Sequence, residues 1–152
     1  MDFRLNEEIC EEDILKALEN KLPEGIEVYS AKEPDYSAKD IAFAEYEITL
    51  YSPKDEILKA LEEYQNNSQA VVTKVTKRGQ KDINLKEYIK EIKITEASEN
   101  SVTFTALYPS GLTFNVNPSL LLDYLCETYG IAVLDALVIR KKLLDENLII
   151  LQ

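Results

Sequence analysis

The sequence predicts an α+β fold: a mainly antiparallel sheet with helices on one face, built from ferredoxin-like β-α-β units, one partial and one more complete. Three observations carry this. Apolar residues alternate with polar ones over short runs such as "EYEITLY" (45–51), as on half-buried strands. The hexapeptide "ILKALE" occurs at 14–19 and again at 57–62, 43 residues on, each time between strand-like runs. Proline, glycine and asparagine punctuate the chain where such elements should begin and end.

In order, the first block reads as a strand over 2–5, a helix over "EEDILKALENKL" (11–22) and a strand over "GIEVYSA" (25–31). At the 43-residue offset Phe3 and Leu5 align with Tyr46 and Ile48, both apolar and two apart. The match is either a repeated fold unit or a coincidence of favoured helix formers. The polar stretch "AKEPDYSAKD" (31–40) reads as a linker, placing a partial α/β module at 1–38 and an α+β domain at 39–152.

The second block starts with the strand at 45–51. Its helix opens with Ser52 as the expected N-cap, Pro53 at N1 and Asp55 at N3, and runs through "SPKDEILKALEEYQ". "AVVTKVTK" (70–77) follows as a strand, then a turn at Arg78-Gly79-Gln80 and a short helical turn over "NLKEY". Ile92 and Ile94 alternate with Lys93 and Thr95, turn through "ASEN" and pair with Val102, Phe104 and Ala106 as a β-hairpin. Asn117 caps a helix that opens with Pro118, carries Leu121, Leu122 and Leu125 on one face and stops at Gly130. The tail "ALVIRKKLL" (136–144) reads as a last strand or a helix.

Composition narrows the chemistry. There is no histidine among the 152 residues, which excludes a Ser-His-Asp triad and a Cys-His pair and removes the commonest zinc ligand. The two cysteines, Cys10 and Cys126, cannot hold a four-cysteine iron–sulfur cluster and read as buried, reduced thiols, as in the cytoplasm. No apolar run reaches the roughly 18 residues of a membrane-spanning helix, and no membrane association is expected. Neither a cofactor nor a bound metal is expected. "NEEICEED" (6–13) has no EF-hand spacing, and acids at a helix start are explained by the macrodipole.

The charge is unevenly placed. Residues 1–66 hold 18 acids against 7 bases, whereas residues 67–152 hold 10 of each. Against that acidic half, "TKVTKRGQKDI" (73–83) places Lys74, Lys77, Arg78 and Lys81 within eight residues free of carboxylate. Gly79 would let a backbone approach phosphate closely. Alternation puts 74 and 78 on one strand face and 77 and 81 on the other until the glycine turn re-aims them. The loop is either a phosphate or partner contact, or a solvated hairpin end balancing the acidic half. Arg140, Lys141 and Lys142 form a second cationic group, and a tail strand lying beside 69–78 would merge the two. The aromatics near the hairpin, Tyr88, Phe104, Tyr108 and Phe114, follow a core pattern more than a base-stacking one. "YPSGLTFNVNPS" (108–119) leads into a helix N-terminus, read as an anion site or as plain capping by Asn117.

Four stretches, "LPEGIEVYSAKE" (22–33), "AEYEITL" (44–50), "TKRGQKDI" (76–83) and "NPSLLLDYL" (117–125), resemble in that order the uncharacterised radical-SAM-associated (radical-SAM-linked) domain of bacteria. The resemblance implies that about half a module, with a "SHLDL"-like stretch, is missing ahead of "MDFRL". It also implies an accessory role beside radical-SAM proteins, in RNA maturation or modification, and brings no established activity. The expectation is therefore a non-catalytic accessory module that meets RNA or a partner radical-SAM enzyme through Lys74, Lys77, Arg78 and Lys81, with Arg140 and Lys141 contributing. A docking or structural domain with no nucleic-acid role is the alternative, and a carboxylate-based enzyme a more distant one. Oligomeric state is left open.

Overall fold

Nine residues, Phe43–Tyr51, form β1, the strand around which the second part of the chain is arranged in the computed structural model. The structure describes residues 5–19, 21–33, 35–76, 79–89 and 91–151, with the backbone alone at Thr76. The chain divides into two compact units, 1–35 and 36–152.

The first unit contains α1, Glu11–Glu19, whose opening turn carries Glu11, Glu12 and Asp13, where the macrodipole favours negative charge. None of its residues is buried. Residues 25–31 were expected as a strand and form none: Ile26 and Tyr29 are exposed, Ile26 N–H turns back onto the Pro23 carbonyl (3.2 Å), and no strand lies beside them among the described residues. The strand expected over 2–5 falls almost wholly outside the described residues. Cys10 is exposed, with its thiol donating to Asp13 Oδ2 at 3.1 Å, and Cys126 is half-buried, so neither thiol is buried as expected; both are free.

The second unit is α+β. Its elements are β1, α2 (Lys54–Asn66), β2 (Val71–Thr76), β3 (Gly79–Asn84), a 3-10 turn (Leu85–Glu87), β4 (Ile92–Ser98), β5 (Ser101–Pro109), α3 (Ser119–Tyr129), β6 (Asp135–Leu144) and β7 (Ile150–Leu151). Five strands make a sheet in the order β4-β5-β1-β6-β7, every neighbour antiparallel. The expected hairpin is present: Ile92 stands opposite Ala106 and Ile94 opposite Phe104, a bulge follows, and Ser98 faces Ser101 across the turn.

The period-two pattern decides which face is buried. Ala44, Ile48 and Leu50 of β1 and Val102, Phe104, Ala106 and Tyr108 of β5 point toward the helices and are sealed from solvent. Ile57, Ala60, Leu61 and Tyr64 of α2 cover them, with Leu121 and Leu125 of α3. α2 lies against β4 and β5, and α3 against α2 and β2. The opposite sheet face carries Glu45, Glu47 and Thr49 of β1 and Thr103 and Thr105 of β5, all half-buried.

One cap differs from expectation and the other meets it. Ser52 is buried, but its hydroxyl donates to the Ala132 carbonyl (3.2 Å), and α2 starts after Pro53 without a side-chain cap. Asn117 caps α3 as expected: its Oδ1 accepts from Ser119 N–H (3.0 Å), and Pro118, with helical dihedrals (φ −50°, ψ −32°), opens the helix. Gly130 ends α3 in the left-handed region (φ 70°), as its position predicts.

β2 does not rejoin β1 after α2. It pairs with β3 as a separate two-stranded ribbon, opposing Val71 to Asn84 and Thr76 to Gly79.

Candidate functional site

Asparagine chemistry holds the base of this ribbon. Asn84 Oδ1 accepts from Ala70 N–H (2.8 Å) and Lys86 N–H (3.3 Å), while Leu85 N–H donates to the Ala70 carbonyl (2.8 Å). Ile83 and Leu85 are buried there, which fixes the direction in which the ribbon leaves the core. Lys86 turns back onto α2: its Nζ donates to the Tyr64 and Gln65 carbonyls, each at 3.1 Å, and sits 4.6 Å from the Tyr64 ring centre. That satisfies carbonyls at the C-terminal end of α2, where a cation is favoured.

Farther out, Lys74 and Lys81 stand directly opposite each other across the two strands and so share a face. Like charges in that position repel, so the pair needs a compensating group. Lys74 finds one within the chain. Its ammonium donates to the Asn115 backbone carbonyl and Oδ1 and lies 5.0 Å from the Phe114 ring centre. Phe114 in turn packs on Tyr88, ring centres 4.7 Å apart. Lys81 is exposed. Thr73 and Asp82, paired through Oγ1 and Oδ1 at 2.8 Å, occupy the other face of the ribbon. Lys77 and Arg78 lie outside the described residues.

The second cationic group lies elsewhere. β6 pairs with β1 and β7, so the tail strand does not run beside 69–78, and strand pairing does not join the two groups. The ladder reason is simple: β1 already bonds β5 on one side and needs a second partner, which β6 provides. Lys142 pairs with Glu45 (2.9 Å) and Lys141 with Glu47 (3.4 Å), both across the open sheet face. A bulge at Lys141 brings these two consecutive residues to the same side, where regular alternation would split them. Arg140 stands opposite Tyr46 on the other face and is exposed. Arg140, Lys141, Lys142 and Leu143 border an open depression of about 380 Å³ with Ile150 and Leu151, where β7 ends and β6 continues.

Two of the aromatics near the hairpin are core residues, as their pattern predicts, and Tyr88 and Phe114 pack half-buried against that core. Phe104 and Tyr108 are sealed, and Tyr108 meets Tyr46 edge-on at 5.4 Å. Burial first, and then the neighbouring Tyr64 and Tyr46, push the Tyr108 phenol well above its usual range; burial likewise raises Tyr64. Among the described residues the Tyr108 hydroxyl has no hydrogen-bond partner. No group of three or more acidic or thiol side chains converges as a metal site among the described residues. No described helix is long and apolar enough to cross a membrane.

Sequence reasoning missed Phe114 and Asn115 as the seat of Lys74, 41 residues away in the chain. No local pattern signals such a contact. The repulsion of two facing lysines could have prompted a search for it once β3 was recognised.

No curated protein and no solved structure matches the chain. The model of one protein family does, over residues 1–118, from before α1 to the residue ahead of α3. With more than half of its length matched, the chain belongs to the family described as uncharacterized protein conserved in bacteria (DUF2344).

Proposed function

We propose that the chain is a non-catalytic accessory module of the radical-SAM-linked kind its sequence resembles. It presents the β2–β3 ribbon to a negatively charged macromolecule, RNA phosphate or the acidic surface of a partner enzyme. The observation that carries this is the facing Lys74–Lys81 pair on a ribbon standing in its own sheet. One lysine is settled by Asn115 and Phe114, while Lys81 remains exposed beside it. The sequence adds Lys77 and Arg78 between the two strands. The open sheet face suits RNA less well, because Glu45 and Glu47 on its central strand already neutralise Lys142 and Lys141.

Binding of a single-stranded RNA, measured at several salt concentrations, tests the reading. With four cations engaged, log K should fall against log salt with a slope of about −3. Lys81→Glu should weaken binding about tenfold and make the slope shallower by about one. Binding to an acidic protein partner with the same salt and Lys81→Glu dependence, but without RNA binding, places the contact on the enzyme. No binding to either at low salt sinks the proposal.

A further inference from the structure

β6 is ten residues long, but β7 covers only Leu143 and Leu144 on its outer side. The remaining outer edge, residues 135–142, has no strand beside it among the described residues. Leu137, Val138 and Ile139 on that stretch are 49%, 39% and 40% exposed. A long apolar edge with no strand beside it is a template for another strand.

The hydrogen bonds show which way the amides of β6 face. Ser52 N–H donates to the Asn100 carbonyl on the β5 side, while the Tyr51 carbonyl accepts from Leu134 N–H on the β6 side, so over residues 46–51 the even-numbered residues of β1 turn toward β5. Its odd-numbered residues therefore turn toward β6, where their partners are Asp135, Leu137 and Ile139. Ala136, Val138 and Arg140 consequently turn outward. In agreement, Ala136 N–H is taken up by the carboxylate of its neighbour Asp135 (2.8 Å) rather than by a strand.

We infer that this edge pairs with the same edge of a second copy, antiparallel about a two-fold axis at Val138, joining two five-stranded sheets into one. The side chains are self-complementary in that register. Val138 faces Val138, Leu137 faces Ile139, and Ala136 faces Arg140. Asp135 faces Lys141, which already holds Glu47 on the same open face. Each copy thus offers one carboxylate to one cation of the other, two pairs in all. The outward backbone groups of 136, 138 and 140 meet those of 140, 138 and 136, which is the bonding pattern of an antiparallel ladder, Ala136 N–H exchanging the Asp135 carboxylate for the Arg140 carbonyl of the other copy. Arg140 of one copy stands roughly 13 Å along the strand from Arg140 of the other, so their repulsion is largely screened at physiological salt. The overlap ends at Lys141, just before β7 occupies the edge at Leu143. A register shifted by one residue would turn the outward amides away from each other and lose the Asp135–Lys141 pair.

Sedimentation equilibrium of the full chain, at concentrations up to on the order of 100 µM, should give a dimer of the 17.3 kDa chain. Val138→Pro removes an outward amide without touching the β1 ladder and should give a folded monomer with an unchanged far-UV spectrum. Asp135→Lys sets like charges opposite at two symmetric positions and should weaken association about tenfold, with Asp135→Lys/Lys141→Asp restoring it. This charge pair keeps the test valid if Val138→Pro fails to fold. A monomer throughout that range, the edge then being left to a strand from another protein, overturns the inference. So does a dimer that Val138→Pro and Asp135→Lys both leave intact.

Discussion

In α1 the side chains of Ile14 and Leu18 are half-buried and Ala17 is exposed; in α2 the corresponding Ile57, Leu61 and Ala60 are sealed. Both triplets belong to the same hexapeptide, at the same helical spacing, and both segments are helical. Local propensity therefore made the helix twice, and its surroundings decided what that helix was worth. α2 lies over β4 and β5, whereas no strand forms among the described residues of the first unit. The sequences part just beyond the repeat. Tyr64 follows in the second copy where the 43-residue offset places Lys21 in the first, and Pro23 stands where Asn66 ends α2. Tyr64 then anchors the second helix through its hydroxyl to the Ile89 carbonyl, at 3.1 Å.

The largest expected effect separating the two regions is alkaline. Tyr64 and Tyr108 are held neutral by burial, with phenol pKa values raised above the unfolded value of about 10. Stability from a raised phenol is fully present below that value and is lost as pH rises toward the folded one. Tyr129, pushed up to about 12 by burial and then by Tyr124, adds in the same direction. The second unit should accordingly lose stability progressively above pH 10, with delayed tyrosinate absorbance appearing as it unfolds. α1 contains no tyrosine and should show no such dependence. Ultraviolet titration beside circular dichroism checks this, and normal ionisation of every tyrosine with the fold intact would refute it.

Next in size, Leu61→Ala should cost about 2–5 kcal/mol in urea unfolding, because the packed core leaves a cavity. Leu18→Ala, the same change in the first copy, should cost no more than about 1 kcal/mol, since its side chain is already half in solvent. Equal losses would mean that the two helices are packed alike. Smaller still is a pair of hydroxyl deletions. Tyr64→Phe leaves a buried carbonyl unmet and should cost about 1–2 kcal/mol. Tyr108→Phe removes a buried hydroxyl without a partner and should be neutral or slightly stabilising. The difference between these two isosteric changes is the measurement that matters.

Most elements after residue 43 were legible, because their signals are local. Alternation marks β1, β4 and β5, and Gly130 ends α3 where its backbone freedom is needed. β6 left a strand and a helix both open, since "LVI" followed by "RKK" fits neither period cleanly. The strand expected over 25–31 showed the limit of the same signal: alternation suits a residue to a sheet face but does not supply the neighbour that makes a sheet. The candidate site was legible as a set of residues and not as an arrangement. Lys74, Lys81, Arg140 and Lys141 were singled out by charge alone, yet two of them are engaged within the chain: Lys74 by the Asn115 loop and Lys141 by Glu47.

By itself, the sequence determined that most segments after residue 43 are helical or extended, which face of those is apolar, and that histidine-based chemistry within the chain is excluded. These follow from side-chain periodicity, capping and composition, which act over a few residues. Only the tertiary structure decided that β2 leaves the sheet to pair with β3, and that β6 takes the free side of β1 with its lysines against Glu45 and Glu47. It also decided which copy of one hexapeptide is buried. Strand partnership is a choice among backbone edges that are chemically alike, so it is settled by what the whole chain can bury at once.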